Sequence, residues 1–226
     1  MPSLIHSPAP DLERSTLFYQ KLGFQEITFE DQVYFSDEQL IIHLNTDPFA
    51  RPGLQLFNKD WSSVIAALSK LGPVKEHKGK HLAVDPNGVF VYLSTETPTF
   101  KQAKHSSILG NFAGLSLETH HLERSIRFWN ILGFELTHGG LEQGWLSLSD
   151  AEGFVVSIMQ TGTCPHLFLN PSLTFFNGKE NPQIIQKIRA TELPIFQEVT
   201  HFNPEGLVDN IILQDPAGYG IFVFND

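Results

Sequence analysis

Apolar positions along the chain alternate between two spacings, and the alternation repeats four times. Residues 4–7 predict a short strand. Asp11 then stands where a helix N-cap belongs, and Leu12, Ser15, Phe18, Tyr19 and Leu22 follow at helical spacing, closed by Gly23. Residues 24–29, 32–36 and 40–44 predict three strands. The series restarts with a strand over 53–57, a helix over 60–71 ending at Gly72, and strands over 74–79, 81–84 and 90–93. In the second half the same reading predicts strands at 114–117, 134–137, 144–148 and 154–159, with a helix at 122–132 capped by Gly133. It continues with strands at 172–176, 198–202, 210–214 and 220–224, and a helix at 182–191 that opens on Pro182.

The order is β-α-β-β-β, written four times, and the sequence itself repeats. Asp-Leu-Glu-Arg-Ser-Thr-Leu-Phe-Tyr-Gln-Lys-Leu-Gly-Phe begins at residue 11; His-Leu-Glu-Arg-Ser-Ile-Arg-Phe-Trp-Asn-Ile-Leu-Gly-Phe begins at 121, an offset of 110 residues. Asp85-Pro86-Asn87-Gly88 is echoed by Asp215-Pro216-Ala217-Gly218. This resolves an awkward length: 226 residues is about one and a half typical domains, but it divides well into two small ones. The polar stretch 95–107 is the expected boundary. The expected division is 1–97, a linker at 98–107, and 108–226.

Composition narrows the function classes. Fifteen Lys+Arg against 25 Asp+Glu give a formal charge of −10, and 41% of residues are hydrophobic. An ordered core is expected, and a nucleic-acid groove is not, since that needs clustered Lys and Arg. The acidic balance is compatible with a cationic or neutral ligand. The apolar runs are too short to span a bilayer. The start, Met-Pro-Ser-Leu-Ile-His, lacks the basic and apolar regions of a secretory leader. One cysteine, Cys164, excludes an internal disulfide or a cysteine zinc cluster. Together these features predict a cytoplasmic location.

The helix string, its repeat and the closing Asp-Pro-x-Gly turns resemble the vicinal oxygen chelate superfamily, which includes glyoxalase I, bleomycin-resistance proteins and extradiol dioxygenases. The resemblance spans nearly the whole chain. It implies an α+β fold of four βαβββ modules in two glyoxalase-like half-barrel domains, each pairing its own two modules around one cavity. Pairing across the halves is the less favoured alternative. The string itself consists of core apolar residues and turn glycines, so it specifies fold and carries no chemistry.

In the metal-dependent members of that superfamily a divalent ion is held in the cavity by His, Gln and Glu from the first and last strands of the modules. Counting from the helix and turn motifs places those positions at Leu4, His43, Gly53 and Tyr92 in the first half. In the second half they fall at Gly114, Ser157, Leu173 and Phe222. His43 alone suits a metal, so no resident metal or other cofactor is expected and the enzyme activity is left open. His6 shares a strand face with Leu4, and Gln55 with Gly53. His6, His43, Gln55 and Tyr92 are therefore the candidate ligand-binding set, with a displaced His/His/Gln metal site as the alternative. Further candidates are weaker. His120 and His121 sit at a helix start, Glu118 at a cavity end, and Cys164 in a loop without a paired histidine. Phe175, Phe222, Tyr92 and Trp145 are candidate cavity aromatics.

Three functions follow. One is a protein binding a small organic molecule in the first-half cavity, with a degenerate metal site. Another is a divalent-metal-dependent glyoxalase-like lyase or dioxygenase. The third is a non-catalytic structural relative. The partner set is a small organic molecule, without nucleic acid or membrane, on a monomer or homodimer.

Overall fold

The computed structural model describes residues 3–99 and 103–225. Part of the expected linker, residues 100–102, thus lies outside the described residues.

In the first half the strands are β1 (Ser3–Pro8), β2 (Gln25–Phe29), β3 (Gln32–Ser36), β4 (Ile41–Asn45), β5 (Gly53–Phe57), β6 (Lys75–His77), β7 (Lys80–Val84) and β8 (Phe90–Ser94), with helices α1 (Leu12–Lys21) and α2 (Ser62–Leu68). The second half holds β9 (Phe112–Thr119), α3 (Leu122–Ile131), β10 (Glu135–Gly140), β11 (Trp145–Ser149), β12 (Val155–Gln160), β13 (Ser172–Phe176), α4 (Asn181–Arg189), β14 (Ile195–Val199), β15 (Asn210–Gln214) and β16 (Gly220–Phe224). Each half makes its own eight-stranded sheet, ordered β2-β3-β4-β1-β5-β8-β7-β6 and β10-β11-β12-β9-β13-β16-β15-β14. The modules therefore pair within each half, as two βαβββ half-barrels. Among the described residues no helix is long and apolar enough to cross a membrane.

Several expected bounds differ, and two of the differences have a physical cause in the structure. The helix over 60–71 is confined to Ser62–Leu68. Asp60 accepts hydrogen bonds from the Ser62 amide and hydroxyl, and the Trp61 indole is tied to the Ser94 carbonyl at 2.8 Å, so the chain enters the helix only after Trp61. The strand expected at 198–202 lies at Ile195–Val199. It reaches β15 through a register shift between Ile195 and Gln197, and Thr200 begins a turn closed by its carbonyl accepting from the Asn203 amide.

Alternation along each strand sorts the side chains. Ile5, Ile42, Leu54, Leu56 and Val91 join Phe18, Tyr19, Leu22 and Trp61 in one apolar cluster that continues into the second half through Leu115, Trp129, Leu173 and Ile221. That outer face is core. The opposite, inner face of the first sheet carries Leu4, His6, Tyr34, His43, Gln55, Phe57 and Tyr92, and all seven are buried.

Candidate functional site

Pairing register assembles the inner face. His6 lies beside His43 on the parallel neighbour β4 and opposite Gly53 on β5; Gln55 lies beside Tyr92, and Tyr34 opposite His43. One end is apolar, where Leu4, Tyr34 and Phe57 pack together. The other end is polar and aromatic. The His6 ring stacks on Tyr92 with centroids 3.8 Å apart and meets His43 edge-on at 5.2 Å, while His43 stacks on Tyr34 at 4.7 Å.

The four residues expected to share a site do come together, in two layers. His43 and Tyr92 line a cavity of about 450 Å³, together with Gln32, Asn45, Asp47 and Lys80. His6 and Gln55 sit behind them, 0% and 3% exposed.

Hydrogen bonds determine the state of each ring. His6 Nδ1 faces the Arg51 carbonyl at 3.1 Å, which can only accept, so Nδ1 carries the proton. His6 Nε2 then accepts from the Asn45 amide nitrogen at 2.8 Å. His43 Nε2 donates to Gln32 Oε1 at 3.2 Å. His43 Nδ1 is buried with no close hydrogen-bond partner, and the Gln55 side chain is its weak polar neighbour. Burial lowers the pKa of His6 to about 4 and that of His43 to about 3, and the Lys80 charge adds to both depressions. Both imidazoles are therefore neutral near pH 7.

Tyr92 and Gln55 are engaged as well. The Tyr92 hydroxyl accepts from the Arg51 amide at 2.9 Å and donates to the Arg51 carbonyl at 3.1 Å. Gln55 Oε1 accepts from Lys80 Nζ at 3.2 Å. Among the described residues no three His, Cys, Asp or Glu side chains group as metal ligands.

The counted superfamily positions have physical explanations. A Cβ at Gly53 would lie 1.9 Å from the Phe90 carbonyl oxygen, and one at Gly114 would lie 2.5 Å from that of Val155. Those strands approach too closely for a side chain there. Leu173 is a correction: it faces the helix-side core. The residue opposite Ser116, as Gly53 is opposite His6, is Ser172. Ser172 precedes α4 by the same nine residues that separate Gly53 from α2; the expected helix starts at 60 and 182 lie on opposite sides of the observed starts, Ser62 and Asn181, and this carried the count to Leu173. Phe175, a candidate cavity aromatic, also belongs to the helix-side core, and Trp145 is 40% exposed.

The second inner face is built differently. Register places Ser116, Ser157, Thr174 and Phe222 where the first half has His6, His43, Gln55 and Tyr92. Ser116 and Thr174 hydrogen-bond to each other at 2.6 Å, and Ser157 to Ser147 at 2.9 Å. The segment between β12 and β13 folds over this face. Phe168 and Leu169 pack against Val199, Ile212, Phe222 and Phe224, and His166 meets Phe222 at 5.1 Å. Cys164 belongs to this segment, and Glu118 accepts from its Gly162 amide at 3.1 Å. Burial, followed by the Glu118 charge, raises the Cys164 thiol pKa, the reverse of an activated nucleophile. His120 and His121 are exposed at the start of α3.

Gln32, Asn45, Lys80 and the Arg51 backbone were not singled out in the sequence. Gln32 and Asn45 are two residues from Tyr34 and His43, so strand alternation could have found them. Lys80 has no such signal, because its place depends on β7 lying beside β8.

Two sheets of paired βαβββ modules, each with an inner face, define a tandem vicinal-oxygen-chelate-type fold. Solved structures share it. A variant of homoprotocatechuate 2,3-dioxygenase from B. fuscum superposes with a TM-score of 0.62 at 18% identity, covering 97% of this chain and 69% of that one. The Mn(II)-bound glyoxalase from Novosphingobium aromaticivorans gives 0.61 at 14%, covering 97% and 79%. A catechol 2,3-dioxygenase gives 0.55 at 12%, covering 97% and 86%. At these identities the likeness is one of fold. No protein-family model and no curated protein sequence matches the chain.

Proposed function

We propose that this protein binds a small organic molecule in the first-half cavity, and that the site works without a divalent ion at the superfamily position. One observation carries the reading: the first inner face opens into a cavity of about 450 Å³ walled by His43 and Tyr92, whereas Phe168 and Leu169 cover the second. The volume lies within the usual range for small-molecule pockets, and stacked rings with a few polar groups suit an organic ligand.

The donor set argues against a metal. Three converging ligands are the usual minimum, and His6, Gln55 and Tyr92 have committed their polar atoms. The Lys80 ammonium on Gln55 would also repel a cation.

The test is protein-observed NMR with a set of small aromatic compounds. Binding is expected to shift the His43 and Tyr92 amides. His43→Ala is expected to weaken binding about tenfold or more with the fold retained. Shifts confined to the second half, or none, would overturn the proposal. The rival reading, a metal-dependent lyase or dioxygenase, is favoured by the likeness to the glyoxalase and dioxygenase structures. It expects bound metal in untagged protein, or a raised Tm with Mn(II) or anaerobic Fe(II).

A further inference from the structure

We infer that the first-half cavity takes a small organic anion, a carboxylate foremost, with Lys80 as its counter-ion; this rests on the reading of that cavity as a ligand site. The chain as a whole is acidic, with a formal charge of −10, which by itself suggested the opposite sign. The cavity wall has a different local balance.

Asp47 is the carboxylate of that wall, and it is already occupied. Its Oδ2 is 2.6 Å from Lys78 Nζ and 3.0 Å from His77 Nε2, and its Oδ1 accepts from the Phe49 amide at 2.9 Å. Asp47 and Lys78 therefore cancel. Lys80 remains. Lys80 is half-buried on the inner face, and its ammonium donates to the neutral Gln55 amide oxygen at 3.2 Å. Burial pulls its pKa down. A partly desolvated cation without a counter-charge is costly, and an incoming anion removes that cost.

The neighbouring groups fit the same ligand. Both histidines are neutral, so they neither compete as cations nor repel an anion. His43 presents an Nε2–H towards Gln32 at the wall, a donor that a carboxylate oxygen can share. Tyr92 and His43 border the cavity with their rings already held by stacking on His6 and Tyr34, so the wall that an organic body meets is rigid. A carboxylate head on a planar organic body matches this arrangement. An organic cation would meet Lys80 with no free acid to offset it.

The experiment compares matched probes by NMR titration at low ionic strength: benzoate and phenylacetate against benzamide and benzylammonium. The carboxylates are expected to bind about tenfold or more tightly than either control. Lys80→Met is expected to remove most of that preference, while Lys80→Arg keeps it. Unchanged Tm and near-UV circular dichroism for Lys80→Met would show that the fold is retained. The inference is overturned if benzylammonium binds as well as benzoate, or if Lys80→Met leaves benzoate affinity unchanged. Equal binding of benzamide and benzoate at His43 would overturn the anion assignment alone. If no probe shifts His43 or Tyr92, the ligand-site reading falls with it.

Discussion

His6 and His43 remain neutral because the folded chain removes them from water and a lysine stands nearby. The linkage has a definite sign. Both histidines have folded pKa values, about 4 and about 3, below the ordinary 6.5. The unfolded chain therefore binds more protons below pH 6.5 than the native one, and stability falls as the pH falls. The contribution is complete above about pH 6.5 and is lost progressively down through about pH 4 and then 3. For His6 alone the shift corresponds to about 3 kcal/mol. The urea midpoint is thus expected to drop between pH 6.5 and 4, and His6→Gln should flatten that drop. An unchanged slope in the variant would count against burial of a neutral His6.

At the level of single elements, close strand approach decides which positions can carry chemistry. β5 runs beside β8 so tightly that Gly53 has no room for a methyl group. Gly53→Ala is expected to destabilise the fold by about 1–3 kcal/mol or more, through displacement of β8, and thermal melts would measure it. A neutral outcome would show that the strands can separate. The repeated helices differ in their first turn. Asp11 caps α1 by accepting from the Arg14 amide at 3.0 Å, whereas His121 makes no such bond at α3 and is itself held by Thr119 Oγ1 at 3.0 Å. The repeated string thus kept the helix while its capping device changed.

Across the whole molecule, the halves are joined by the closing turns. Asp215, in the last module, accepts the Ser7 and Tyr19 hydroxyls from the first module, both at 2.8 Å. Tyr219 reaches back to the Gly53 carbonyl at 2.7 Å. Asn87, in the equivalent turn of the first half, donates to Ser125 on α3 at 2.9 Å. Burial raises the Asp215 pKa even though these donors oppose it. Tyr19→Phe leaves the ring and removes one donor to a buried carboxylate, so a loss of about 1–3 kcal/mol is expected in urea unfolding. A loss below about 0.3 kcal/mol would show that the contact does not hold the halves together.

Repeat, periodicity and turn motifs were sufficient for the four βαβββ modules, because helix and strand faces are written locally as spacings of apolar residues. The pairing within each half came with the resemblance that those motifs carry. His43 and Tyr92 came from positions that the resemblance marks, and strand alternation added His6 and Gln55 to the same set. Three decisions belonged to the tertiary structure. Leu173 belongs to the helix-side face because α2 and α4 start at Ser62 and Asn181, set by local capping and turn contacts that periodicity does not fix to the residue. The second cavity was covered by Phe168 and Leu169, from a segment with no periodicity to read. The sign of charge at the first cavity came from Lys80, Lys78 and Asp47. Net charge is a sum over the chain, whereas a ligand meets only the few charges that folding brings to one wall and leaves without partners.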